Sequence, residues 1–189
     1  MNTLYLPEGY KQTKEIDLQK NKKLALIVNL GALVITIPLI LLGIWIRPLD
    51  FSALFERPVS YMLGALLTAV LSVAYIFLHE LVHGVFIKHY CKEKAEYGFT
   101  GLYAFAGKKD AYFDKRSYLV IALSPVVIWG LVLLAANILL PQVFWPIYFV
   151  QIVNLSGAAG DLYVTALLCR MHGDVLVNDD GVSMRFYQK

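Results

Sequence analysis

Three residues, His79, Glu80 and His83, follow the pattern H-E-x-x-H. Two histidines four positions apart on a helix point to the same face, so their imidazoles can bind one metal ion. The glutamate beside the first histidine can take a proton from an attacking water molecule. The three residues lie near the end of a long apolar stretch, where ionisable side chains are costly without a compensating ligand. The pattern in this setting therefore predicts a metal site with an adjacent general base.

A third metal ligand is expected elsewhere in the chain, because a catalytic zinc usually has three protein ligands and one open position. Asp161 is the preferred candidate, since it is a carboxylate inside a later apolar stretch at a depth similar to that of the histidines. His89 is an alternative, at the offset of the third histidine in H-E-x-x-H-x-x-G-x-x-H, although Phe86 stands where that pattern has glycine. Glu93 and Glu96 are further alternatives, but their lysine-rich segment is more simply explained as solvated.

Two polar features in the later apolar stretches have both a functional and a packing interpretation. Asn154 lies seven residues before Asp161, about two helical turns, and is expected to orient that ligand or to bind a substrate backbone. Ordinary hydrogen bonding between helices explains it equally well. The pair Ser124 and Pro125 would free backbone carbonyls in the third apolar stretch, where a packing kink is the simpler account. Small residues at 157–160 would allow close approach of another helix.

The composition indicates that these residues are positioned by membrane-spanning helices. Of the 189 residues, 58% are hydrophobic and 16% are charged, with a mean hydropathy of +0.59. Soluble domains carry roughly a quarter charged residues, so a small soluble core is excluded. We predict a single all-α membrane domain over residues 1–189 with about four transmembrane helices. The predicted spans are residues 24–46, 59–88, 118–140 and 143–168.

The distribution of lysine and arginine predicts the orientation in the membrane. Most of these residues lie in the N-terminal segment, the segment between spans two and three, and the C-terminal tail. The positive-inside rule then places both termini and the central loop of a multi-pass cell-membrane protein in the cytoplasm. Cys91 and Cys169 would lie on that side, where thiols stay reduced, so no disulfide framework is expected. No cleavable signal peptide is expected either.

The segment between spans two and three is the one place where β-structure is expected. In residues 97–113 aromatic residues alternate with small ones, and Gly107–Asp110 resembles a turn. We predict a short cytoplasmic-side β-hairpin, or alternatively an interfacial aromatic loop. Residues 1–23 and 170–189 are interpreted as polar tails.

The motif and its setting resemble a known group of proteins. His79, Glu80, His83 and the following Gly84, with Asp161 on a later span, resemble the site-2 protease class of intramembrane metalloproteases. They resemble more closely a family of small bacterial integral membrane proteins described as zincin peptidases. The likeness runs from about span two to the end of span four.

This resemblance implies a zinc ion bound by His79, His83 and Asp161, with Glu80 as general base. It also implies that the 97–113 segment presents an edge strand to an extended substrate. The chain departs from the site-2 proteases at residues 160–162, which read Gly-Asp-Leu where those enzymes have Leu-Asp-Gly.

The expected function is therefore a zinc metallopeptidase that hydrolyses membrane-associated substrates near the cytoplasmic face. Its expected partners are a membrane protein or peptide substrate and the lipid bilayer, with no nucleic acid. A non-catalytic zinc-binding membrane protein, either a pseudoprotease or a scaffold, is the alternative. Glu80 argues against it, because a structural zinc site needs no base beside its ligand. A small transporter is a third possibility, but the chain lacks the internal repeat typical of many transporters.

Overall fold

The computed structural model describes residues 2–101 and 103–189. Its helices are α1 (Lys22–Ile46), α2 (Ala53–Glu56), α3 (Pro58–Cys91), α4 (Lys115–Leu139), α5 (Phe144–Gly157) and α6 (Ala159–Arg170). A 3-10 turn, Pro141–Val143, precedes α5.

Four segments, α1, α3, α4 and Pro141–Arg170, are long and apolar enough to cross a membrane. The 25 residues of α1 extend about 37 Å at 1.5 Å per residue, against a hydrocarbon core of about 30 Å. Large apolar side chains on these helices point outwards, among them Trp45, Val34 and Met62, each at least 70% exposed. The predicted number and positions of the four long apolar segments are confirmed.

The fourth predicted span is divided into two helices. Helix α5 ends at Gly157, Ala158 leaves the helical conformation with φ −81° and ψ 15°, and α6 begins at the next residue. Glycine is a poor helix former, and Gly157 and Gly160 flank this break. The break places Asp161 in the first turn of α6, where a carboxylate interacts favourably with the helix dipole.

The expectation of an all-α fold was wrong, because five strands form one antiparallel sheet. The strands are β1 (Lys11–Asp17), β2 (Glu96–Phe99), β3 (Ala104–Asp114), β4 (Val175–Asp179) and β5 (Ser183–Gln188). Their order is β1-β5-β4-β3-β2. The two segments interpreted as polar tails pair with each other, with Lys11 opposite Gln188 and Asp17 opposite Ser183. Pairing satisfies the backbone hydrogen bonds of segments too polar to form a further membrane helix.

The predicted hairpin between the second and third apolar helices is present as β2 and β3. Its turn does not lie at Gly107–Asp110, which belongs to β3. The chain reverses around Gly101 instead, and this residue has φ +88°, a conformation that favours glycine. The Thr100 N–H donates a hydrogen bond of 3.0 Å to the Tyr103 carbonyl. The second strand of this hairpin, β3, is therefore longer than the sequence predicted.

A second hairpin, β4 and β5, occupies the C-terminal segment. All five residues of β4 are buried, and the turn that follows contains Asp180 and Gly181. Gly181 has φ +85°, and Asp180 Oδ1 accepts hydrogen bonds from the Val182 and Ser183 N–H groups. An Asp-Gly pair between apolar runs is a strong sequence signal for a hairpin. That signal is present in the sequence but was missed in the tail.

The chain divides into two compact units, and the predicted single domain stays a prediction. The first unit comprises Met1–Val28, Phe77–Pro125 and Gly160–Lys189, and contains the whole sheet. Its core includes the fully buried Phe113 and Phe186. Helix α4 follows β3 directly, because Asp114 Oδ1 caps it by accepting a 2.9 Å hydrogen bond from the Ser117 N–H.

The second unit comprises Asn29–Ile76 and Val126–Ala159 and is helical throughout its described elements. The Tyr148 hydroxyl donates a 2.7 Å hydrogen bond to the Leu39 carbonyl. A Cβ at Gly43 would overlap the Tyr148 ring, so this glycine permits the two helices to approach closely. Polar groups in this unit thus serve packing between apolar helices.

Candidate metal centre

Helix α3 brings together the three residues of the H-E-x-x-H pattern. Their ligand atoms all lie within 4.8 Å of one another. His79 and His83 are only 8% and 9% exposed, and their ring centroids are 4.9 Å apart. The four-residue spacing therefore brings the two imidazole rings together on one face of α3, as the sequence predicted.

The carboxylate of Asp161, in the first turn of α6, faces both histidines. Its Oδ2 lies 3.4 Å from His79 Nε2 and 3.7 Å from His83 Nε2. Zinc bonds nitrogen and carboxylate oxygen at about 2.0–2.2 Å, so two ligand atoms of a tetrahedral site stand roughly 3.3–3.6 Å apart. Two imidazoles and one carboxylate also form a donor set of catalytic zinc sites. The residues fit a zinc ion.

The ring of His83 is held in the orientation that a metal ligand needs. Its Nδ1 lies 2.9 Å from the Ile121 carbonyl oxygen in α4. Because a carbonyl only accepts hydrogen bonds, Nδ1 carries a hydrogen, and Nε2 is the nitrogen of the neutral imidazole that can bind a metal ion. That nitrogen is the one that faces Asp161. A hydrogen bond of this kind is the usual way in which a protein selects the tautomer of a ligating histidine.

Pro125 explains why the Ile121 carbonyl is available to His83. In a regular helix this carbonyl would accept a hydrogen bond from the N–H of the residue four positions later, but Pro125 has no N–H. The freed oxygen instead accepts from His83 and from the Ser124 hydroxyl, at 3.1 Å. The packing kink expected at Ser124 and Pro125 does not account for this contact with His83, which lies on another helix.

The sheet contributes to the environment of Glu80. The backbone of Ala106 in β3 faces the Glu80 carboxylate. The hydroxyl of Tyr97 in β2 lies against Gly84, one turn beyond Glu80, and a Cβ at Gly84 would overlap it. Partial burial and the Glu80 charge raise the pKa of Tyr97. The β2–β3 hairpin therefore packs against the helix that carries Glu80.

Comparison with known proteins agrees with this geometry. Residues 72–176, more than half of the chain, match the family described as "Putative zincin peptidase". The chain belongs to this zincin family. The matched stretch contains all four residues of the cluster, His79, Glu80, His83 and Asp161. No curated protein and no solved structure matches the chain.

The alternative ligands lie apart from the zincin cluster. His89 is exposed in the last turn of α3, with its ring 5.0 Å from that of Tyr90. Glu93 is also exposed, and Glu96 Oε1 lies 3.4 Å from Lys108 Nζ. Among the described residues, the structure brings Asp161 to the two histidines and leaves these three side chains at the surface.

Asn154 is completely buried and hydrogen-bonded within the second unit. Its Oδ1 accepts a 2.8 Å hydrogen bond from the Tyr75 hydroxyl, and its Nδ2 donates to the Val126 carbonyl at 3.2 Å. These are hydrogen bonds between helices, as expected if Asn154 serves packing. The expected role of Asn154 in orienting Asp161 or binding substrate stays a prediction.

A further buried acid of the zincin, Asp179, was missed because it lies in the segment interpreted as a tail. The Tyr118 hydroxyl donates to its Oδ2 at 2.5 Å, and the Gly181 N–H donates to its Oδ1 at 2.8 Å. Burial raises the pKa of Asp179 to about 6, and its charge also interacts with His83 and Asp161. The C-terminal hairpin thus contributes to the electrostatic field at the cluster.

Proposed function

We propose that the chain is a membrane-embedded zinc metallopeptidase that hydrolyses peptide bonds of membrane-associated substrates near the cytoplasmic face. The observation that carries the proposal is the position of the Asp161 carboxylate against the Nε2 atoms of both His79 and His83. The Glu80 carboxylate lies within 4.8 Å of the ligand atoms of both histidines. Membership of the zincin family supports the same chemistry.

Each residue has a defined task in the proposed reaction. His79, His83 and Asp161 would hold the zinc ion. When bound, zinc would lower the pKa of a water molecule and polarise the substrate carbonyl. Glu80 takes the proton of the attacking water and passes it to the leaving amine. The Ala106 backbone, which faces the Glu80 carboxylate, would help to hold that carboxylate in place for both transfers.

The β2 strand is the proposed site for the substrate backbone. It is the last strand in the sheet order, so within the described residues its outer edge pairs with no other strand. An extended peptide can add to such an edge through main-chain hydrogen bonds. Tyr97 in this strand adjoins Gly84 and interacts with Glu80, so a peptide on β2 would be near the base. The resemblance to site-2 proteases supports this arrangement.

The sheet also supports the proposed orientation in the membrane. Its strands come from the N-terminal, central and C-terminal segments, which are the segments rich in basic residues. One sheet can contain all three only if they lie on the same side of the bilayer. The positive-inside rule assigns that side to the cytoplasm.

Zinc content and proteolysis of the detergent-purified chain, with unfolded casein as the probe, test the proposal. Glu80→Gln should keep about one zinc per chain and lower the cleavage rate by roughly 10²–10⁴-fold, because the ligands remain and the base is lost. His89→Ala, a histidine outside the cluster, should keep both properties. Cleavage that persists in Glu80→Gln would contradict the peptidase assignment. Zinc binding without cleavage in the wild type would favour the scaffold alternative.

A further inference from the structure

A small apolar cavity adjoins Asp161 in the first unit. Its volume is about 120 Å³. Asp161 and Gly160 of α6 form part of its lining. The apolar lining comes from both terminal segments as well as from α1 and α6, and includes Ile16, Leu18, Val28, Val164, Val182 and Met184.

The size and lining of the cavity indicate what it can hold. A water molecule takes about 30 Å³ of liquid, and an apolar cavity of about 150 Å³ can bind benzene. A volume of about 120 Å³ therefore suits a branched or unbranched aliphatic side chain. Apart from Asp161 and the tyrosines Tyr103 and Tyr163, the lining residues are apolar or glycine, so a glutamine side chain buried there with its polar end unpaired would be unfavourable.

The position of the cavity relates it to the proposed cleavage site. Asp161 lines the cavity and also faces His79 and His83. At Gly160, which precedes Asp161, a Cβ would meet nothing within 4 Å apart from its chain neighbours and the backbone of its own helix, so the space at this end of α6 is open. Consecutive Cα atoms of a peptide are 3.8 Å apart. Of the three proposed ligands only Asp161 lines the cavity, so a peptide with its carbonyl at the ligands would bring a neighbouring side chain to this opening on the Asp161 side.

We propose that this cavity is a specificity pocket for an aliphatic side chain, Leu, Ile, Val or Met, next to the cleaved bond. The inference rests on the proposed peptidase function and names its substrate class. It assigns a role to both terminal segments, since β1 supplies Ile16 while the turn after β4 and strand β5 supply Val182 and Met184. Substrate selection would then depend on the sheet rather than on the membrane helices alone.

Cleavage of a defined peptide mixture by the zinc-loaded full chain, with the products identified by mass spectrometry, tests the pocket. Aliphatic residues should exceed alanine roughly 10–100-fold in kcat/KM at one position next to the cut, as expected for burying such a side chain. Val28→Phe should reduce this leucine-to-alanine ratio towards one by filling the cavity. Met184→Ala should extend the preference to phenylalanine. Ile27→Phe alters the adjacent side chain of α1, which is 48% exposed and outside the lining, and should leave the ratio unchanged.

A binding measurement separates failure of the pocket from failure of the peptidase assignment. Peptide hydroxamates with a leucine or a glycine side chain are titrated calorimetrically into Glu80→Gln, with and without Val28→Phe. Tenfold tighter binding of the leucine compound, lost with Val28→Phe, would support the pocket even if no peptide were cleaved. Cleavage that depends on Glu80 but has no aliphatic preference, or a preference unaffected by Val28→Phe and Met184→Ala, would overturn the pocket alone. The pocket proposal would also be overturned if neither the cleavage assay nor the binding assay showed a preference for an aliphatic side chain.

Discussion

Two buried polar clusters lie on the apolar helices, one in each unit, and they differ in chemical type. In the second unit Tyr75, Asn154 and the Val126 carbonyl are neutral groups with donors matched to acceptors. In the first unit a carboxylate, Asp161, faces two imidazole nitrogens. The neutral cluster stabilises packing without any further component. The ionisable cluster needs a proton or a metal ion between its members, and this difference distinguishes a candidate ligand site from interhelical bonding.

The largest expected effect tests the difference between the two clusters directly. Asp161→Ala should lower zinc affinity by at least about 100-fold, because it removes a proposed ligand rather than a group that only orients a ligand. Asn154→Ala should leave zinc affinity unchanged and destabilise the fold by about 1–2 kcal/mol, through loss of the buried bonds to Tyr75 and Val126. Chelator competition and thermal unfolding in detergent measure the two quantities. Zinc loss in Asn154→Ala would show instead that Asn154 orients the ligand, as the sequence suggested.

Asp179 extends the comparison to a buried acid in the first unit whose hydrogen-bond partners, the Tyr118 hydroxyl and the Gly181 N–H, are neutral. Its pKa is raised in the folded state to about 6 from an ordinary value of 3.8, so the folded chain binds the extra proton more tightly than the unfolded chain. Stability from this group is therefore present below about pH 4 and is lost as the pH rises towards 6, by at most about 3 kcal/mol. Asp179→Asn should flatten this part of the curve of unfolding free energy against pH. An unchanged slope would mean that another group titrates there.

Pro125 sharpens the comparison by showing how a backbone group supports the ionisable cluster. Pro125→Ala restores an N–H that competes with His83 for the Ile121 carbonyl, so zinc affinity should fall about 10–100-fold. Pro38→Ala is the matched control, since Pro38 also lies inside a long apolar helix and belongs to the second unit. It should leave zinc affinity unchanged. Equal effects of the two substitutions would point to general helix stiffening.

The smallest effect is expected at the contact between α3 and the hairpin. Gly84→Ala places a methyl group where the Tyr97 hydroxyl lies and should lower peptidase activity about tenfold by displacing β2, with zinc retained. Gly64→Ala, on the same helix with no described atom within 4 Å of its Cβ position, is the control and should have no effect. The double variant Gly84→Ala with Tyr97→Ala removes the overlap, and we expect activity above that of Gly84→Ala alone. A fully active Gly84→Ala would exclude a role for this contact.

Local features of the sequence were sufficient to predict the long apolar helices and the part of the candidate metal centre that lies on α3. The spacing of His79 and His83 becomes proximity on any helix, because a helix places residues four apart on one face. The apolar runs likewise gave the positions of α1, α3 and α4, since a span is defined by length and composition. The terminal strands were not recognised, although the Asp180-Gly181 turn was a readable hairpin signal.

By itself, then, the sequence determined the H-E-x-x-H helix and the four apolar segments, whose causes lie within a few turns of chain. Only the tertiary structure decided that Asp161, rather than His89, faces the histidines, and that the Ile121 carbonyl freed by Pro125 orients His83. It also decided that the two polar termini pair as β1 and β5. These contacts join residues far apart in the chain, and residue spacing carries no information about which distant segments will pack together.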